Sequence, residues 1–181
     1  MKHWMNRHAV GITLAVVLAI MVMIFCFSAQ TGEESGAMSG RITTWIVGVF
    51  VPDFDNLPGE EQKNLCSAVG LVIRKTAHFS EYALLGFFLM LHIRQIQKRT
   101  KVCLPWLWSW AVGTLYAVSD EIHQGFVGGR YPAATDVMID SSGVITGTML
   151  LLLICFGRQG RNNHRIDLKK QKKQRPFRKK T

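Results

Sequence analysis

Four stretches of this sequence are long and apolar enough to be read as helices in lipid, and they leave room for few other folds. A spanning helix needs about 20 mostly apolar residues, because lipid offers no partners to its backbone amides and carbonyls. Residues 9–27 carry no charge at all. Residues 76–93 are apolar except for His78, Glu81 and His92. Residues 102–119 are rich in tryptophan, with Pro105 near their start, where proline suits a first helical turn. Residues 137–156 are apolar except for Asp140. A fifth run, 42–51, is too short to span and reads as an interfacial or re-entrant piece. The expectation is an all-α membrane protein with four transmembrane helices. Its single domain covers 9–157, between a short N-terminus (1–8) and a basic tail (158–181).

The charge is segregated from these runs. The chain is 48% hydrophobic and yet carries a formal charge of +10, a combination that fits a membrane domain with basic ends. Seventeen of the 22 lysines and arginines fall in the N-terminal stretch, in the loop after the second span or in the tail. Positive residues concentrate on the cytoplasmic side, so both termini are expected there. The first span has the basic start of a signal peptide, but its run is long and no A-x-A motif follows, so it is read as retained. The tail reads as a solvated, disordered topology determinant, with contact to anionic lipid as the sharper alternative. No aromatic interleaving accompanies its charge, so nucleic acid is not expected as a partner. The four cysteines are scattered without a C-x-x-C, which argues against a zinc finger, a thioredoxin-like site and a disulfide framework.

With this topology the polar residues inside or beside the spans reach one level, the outer leaflet. Arg74, His78 and Glu81 are spaced by four and three residues and share a helix face, with Lys75 beside them. Asp120, His123 and Gln124 do the same at the end of the third span, with Glu121 adjacent, and Asp136 and Asp140 are four apart at the start of the fourth. Ionisable groups within a membrane normally face a bundle interior, so three polar stripes suggest a hydrated pocket open to the outside. Five carboxyls (Glu81, Asp120, Glu121, Asp136, Asp140) then meet three fixed cations (Arg74, Lys75, Arg130), a formal charge of −2 with the histidines neutral. A partly dehydrated site needs that excess balanced. Protons, protonated histidines, a cationic ligand or a divalent metal would each do it, and His78, Glu81, Glu121, His123 and Asp140 are the candidate ligands for a metal. In the loop "GFVGGRYPAATD", Arg130 offers a planar fork for phosphate or carboxylate. Taken singly, each residue has an ordinary explanation: a buried hydrogen-bonded pair in "HFSE", a solvated helix end at Asp120 and Glu121, a hairpin ion pair at Arg130. The reading rests on convergence in depth.

The segments "FSAQTGEESGAMSGRI", "RKTAHFSEYALLGFFL" and "SDEIHQGFVGGRYPAATDVMIDSSGVITG", set among four spans, resemble the VanZ-like family from about residue 11 to 156. The resemblance implies an integral protein of the bacterial cytoplasmic membrane. The family is named for a member that lowers susceptibility to the glycopeptide teicoplanin. The positions that match its motifs are Lys75, His78, Glu81, Asp120, Glu121, His123, Gln124, Arg130, Asp136 and Asp140.

Three classes of activity follow. The first is an envelope protein that binds or shields an envelope lipid, a lipid-linked cell-wall precursor or a glycopeptide. The second is a metal-assisted membrane hydrolase or transferase, although no serine elbow, H-E-x-x-H or P-loop is present. The third is a transporter driven by protonation, for which four spans are few and no inverted repeat is evident.

Overall fold

The computed structural model describes residues 2–100 and 102–174, with the side chains of 2–7, 98–100, 162, 164 and 167–174 outside that description. Among the described residues there are five α-helices and no strand: α1 (Lys2–Ser28), α2 (Gly32–Phe50), α3 (Gly59–Thr100), α4 (Pro105–Gln124) and α5 (Ala134–Gln174), with a single 3₁₀ turn at Phe54–Asn56 between α2 and α3. The breaks have local causes. Thr31 caps α2 and forms a reciprocal capping box with Glu34. Pro52 and Pro58 bracket the turn after α2, Pro105 opens α4, and Pro132 precedes α5.

Three expectations are revised. The run at 42–51 is no isolated short piece but the second half of the 19-residue α2. Its polar first half is helical because the capping box starts the helix at Gly32, a signal independent of hydropathy. Secondly, only two stretches among the described residues are long and apolar enough to cross a membrane, His8–Ser28 and Ala134–Arg161. The segments on α3 and α4 fall short because histidine and glutamate interrupt the first, while the second dilutes its aliphatic residues with tryptophan, glycine and serine before ending in Asp120 and Glu121. Thirdly, the basic stretch expected as disordered continues α5 as helix to Gln174; residues 175–181 lie outside the described residues.

Helix α3 is the hub and touches each of the other four α-helices. Its closest partner is α5, and glycine is the reason. A Cβ on Gly147 would lie 1.8 Å from the carbonyl oxygen of Ala83, and one on Gly143 2.4 Å from that of Phe79. From the other side, a Cβ on Gly86 would lie 2.3 Å from the carbonyl oxygen of Val144. Gly143 and Gly147 form a G-x-x-x-G pair, the spacing that lets two apolar helices bring their backbones together. One turn further along, Ser109 Oγ donates to the Gly86 carbonyl (3.1 Å) and shares a hydrogen bond with Thr148 Oγ1 (2.9 Å), which ties α3, α4 and α5 in one buried knot. Helix α1 is fastened by the Tyr116 hydroxyl, which donates to the Met21 carbonyl at 2.6 Å.

The apolar core gathers Val17, Ile20 and Ile24 of α1, Tyr82, Leu85 and Leu89 of α3, Ala117 of α4 and Val144 of α5. Polar side chains are nearly as numerous among the buried residues, while Ile12, Leu18, Val22, Leu115, Leu150 and Leu153 are exposed.

The glycine contact predicts an asymmetric result. Gly147→Ala places a methyl against backbone and should cost about 1–3 kcal/mol, a fall of several degrees in Tm by circular dichroism in detergent. Gly157→Ala meets open space and should leave Tm level or raise it, since alanine is the better helix former by about 1 kcal/mol.

Candidate functional site

The Gly143–Gly147 contact sets the level of the residues one turn before it on each helix: His78 on α3 and Asp140 on α5. With α4 packed on both helices, Asp120 comes to the same place. One ligand atom from each of these three side chains lies within 4.8 Å of the others. Asp120 and Asp140 are 3% and 2% exposed, and His78 is half-buried.

Asp120 is held from two directions. Ser28 Oγ donates to its Oδ2 at 2.8 Å, and Gln124 Nε2 donates to that same oxygen (3.1 Å) and to Ser28 Oγ (3.1 Å). The end of α1 is thereby bonded to the end of α4. Arg130 extends the chain of contacts: its guanidinium donates to Gln124 Oε1 (3.0 Å) and to the Phe27 carbonyl (3.4 Å). Glu121 accepts from the Ala133 amide at 2.6 Å and so anchors the far end of the loop between α4 and α5. Lys75 forms an ion pair with Asp136 and joins α3 to the first turn of α5.

The loop itself closes over the site by backbone contacts. Gly129 adopts a left-handed conformation (φ 74°), which glycine alone takes freely. The Gly32 amide, at the start of α2, donates to the Gly128 carbonyl at 3.0 Å. A Cβ on Gly32 would lie 2.3 Å from the Gly129 carbonyl oxygen, so this docking needs a glycine.

A cleft of about 340 Å³ opens among these elements. Arg74, Lys75 and His78 of α3 line it, with Glu121 and Gln124 of α4, Arg130 of the loop, and Asp136 and Asp140 of α5. A second cleft of about 170 Å³ lies between α2, α3 and the end of α1. It is lined by Glu81 together with the apolar Phe27, Met38, Ile42 and Ile73. Ser35, Arg74, His78 and Arg130 border both clefts. Arg130 is pushed below the ordinary arginine range by burial, and next by the Arg74 guanidinium, while Asp120 and Glu121 draw it back up. Two like charges are therefore held close at the junction of the clefts.

The candidates from the sequence are not all placed together. His123 lines neither cleft; its ring stacks on Phe25 of α1 at 4.6 Å. The spacing 120, 123, 124 defines one helix sector and 120, 121, 124 another. Packing against α1 and the loop buries the second, with Asp120, Glu121 and Gln124 all buried. Of the proposed metal ligands, His78 and Asp140 meet, whereas Glu121 serves the Ala133 amide and Glu81 faces the second cleft. Sequence reasoning missed Tyr82, fully buried and one turn after His78, and the start of α2. The first was legible as an i, i+4 neighbour on the polar face, and the second as the box formed by Thr31 and Glu34.

These features belong to one class of protein, a helical bundle with a glycine-welded pair and a polar centre inside an apolar exterior. The chain matches the VanZ/LLP1 family model over residues 13–155 and belongs to that family. No curated protein and no solved structure matches it.

The bonding around Asp120 gives a test. Ser28→Ala removes a buried hydrogen bond to a carboxyl group and should cost about 1.5–3 kcal/mol, read as a lower Tm. Ser119→Ala, which removes an exposed bond to the Tyr116 carbonyl, should change stability by less than about 0.5 kcal/mol.

Proposed function

We propose that this chain is a multi-pass protein of the bacterial cytoplasmic membrane, with four helices crossing and both termini inside. In this reading its cleft, at the outer leaflet, holds the anionic head of an envelope lipid or lipid-linked cell-wall precursor. Family membership, two strongly apolar helices and the many large apolar side chains left exposed support the membrane placement. The stretches on α3 and α4 cross as parts of the bundle, their polar residues turned to its centre. The role that the family resemblance adds is protection of the envelope of the teicoplanin-resistance type, by binding or shielding such a lipid.

The observation that carries the ligand class is the pair Arg74 and Arg130 at the junction of a polar and an apolar cleft. Among the described residues neither guanidinium forms an ion pair with a carboxylate; Arg130 is bonded to a side-chain amide and a backbone carbonyl instead. Two uncompensated, neighbouring guanidiniums are a site for phosphate or carboxylate oxygens. The apolar cleft beside them suits the start of an acyl or prenyl chain. Head and tail of an anionic amphiphile would thus be met by adjoining surfaces.

The test is a lipid titration followed by native mass spectrometry in detergent, with phosphatidylglycerol against phosphatidylcholine. The anionic lipid should bind tighter, and Arg74→Gln/Arg130→Gln should weaken it at least tenfold, about 1.4 kcal/mol. Equal retention of the two lipids, or an unchanged affinity in the double variant, would sink the reading.

A further inference from the structure

The larger cleft is lined by acids as well as by the arginine pair, and these acids have no role in holding an anion. We propose that His78, Asp120 and Asp140 form a binding site for one divalent first-row transition-metal ion, of the zinc or manganese type, at the floor of the cleft. The proposal concerns the bare protein and stands whether or not a lipid occupies the mouth.

Three observations support it. The first is geometric: the ligand atoms of one imidazole and two carboxylates, from three different helices, converge within 4.8 Å. Metal bonds to nitrogen and oxygen are about 2.0–2.2 Å long, so an ion among the three meets all of them after small side-chain rotations. The second is the record of unmet hydrogen-bonding capacity. His78 Nδ1, Asp120 Oδ1 and Asp140 Oδ1 are buried atoms without a hydrogen-bond partner. Tyr82, 0% exposed, packs its hydroxyl beside Asp120. Buried polar atoms are rarely left unpaired, because each costs about 1–3 kcal/mol. Three in one place mark a position where something polar or charged is expected. The third is charge. Asp120 and Asp140 alone bring −2 to the cluster, and among the described residues neither forms an ion pair. The contacts do not remove that excess: Lys75 neutralises Asp136, and Glu121 is bonded to a neutral amide. A divalent ion cancels it where it is concentrated.

The donor set selects the metal. An imidazole with two carboxylates suits zinc or manganese, whereas calcium and magnesium favour all-oxygen shells. No thiolate takes part, as none of the four cysteines belongs to the cluster. Ser28 and Gln124, bonded to Asp120 Oδ2, would act as outer-shell partners that orient a ligating carboxylate. His78 and Asp140 also line the 340 Å³ cleft. Three protein ligands leave coordination positions open, and here they would face that space.

The experiment uses the full chain in detergent, stripped with EDTA, dialysed and reloaded with zinc alone. Zinc per chain is measured by elemental mass spectrometry and affinity by calorimetry. The expected result is about one tightly held ion. Asp140→Asn and His78→Gln should each weaken it at least tenfold, since loss of an outer-shell partner alone costs about 10–100-fold. His92→Gln, which alters a histidine bonded to Thr13 of α1 instead of one in the cluster, should bind as the parent does. X-ray absorption at the zinc edge of the unmutated protein needs no variant to fold. It should show oxygen and nitrogen neighbours with a single imidazole. Sub-stoichiometric zinc after reloading, affinity unchanged in both cluster variants, or a shell with sulfur or several imidazoles overturns the proposal.

Discussion

The contact on which the rest of this structure depends is the backbone-to-backbone approach of α3 and α5 at Gly86, Gly143 and Gly147. Between apolar helices in lipid there is little hydrophobic gain from association, so packing and interhelical hydrogen bonds must hold them. Glycine supplies both conditions. It removes the side chain that would keep the helices apart, and it brings the Gly86 carbonyl within reach of Ser109 and Thr148. Because helices are stiff rods, a fixed contact at one level fixes the level of every residue above it. His78 and Asp140 face one another because Phe79 and Ala83 already meet Gly143 and Gly147.

A second constraint acts at the polar end of the bundle. The polar residues there are not merely clustered but assigned different tasks. Glu121 is consumed in holding the loop, Lys75 and Asp136 fasten α3 to α5, and Ser28 and Gln124 fix one oxygen of Asp120. What is left over is of two kinds. Arg74 and Arg130 line both clefts without an ion pair among the described residues, while His78, Asp120 and Asp140 meet with unmet atoms. The anion and the cation proposed above would answer the two halves of that arrangement.

Much of this was legible in the residues. The all-helical architecture follows from apolar periodic runs bounded by proline and capping residues. The meeting of His78, Asp120 and Asp140 was prepared by where acids and histidines fall near the ends of those runs. The G-x-x-x-G at Gly143 was equally visible and carries the tightest contact in the molecule. Hydropathy served less well for α2, whose polar first turns are ordered by the box between Thr31 and Glu34, and for α3 and α4, where polar groups that serve the centre dilute the apolar signal.

By itself, then, the sequence determined which segments are helical, where they stop and which polar residues share a level, since these depend on local periodicity and on the transfer of side chains between water and lipid. Only the tertiary structure decided which of those residues face one another. A helix presents several overlapping sectors that spacing alone cannot rank, so Asp120 could be grouped with His123 or with Glu121. The choice was made by Phe25 stacking on His123 and by Ala133 bonding to Glu121, contacts between residues far apart in the chain. His78, Asp120 and Asp140 become neighbours only when three helices are packed, because their distances from one another are set by helix crossings.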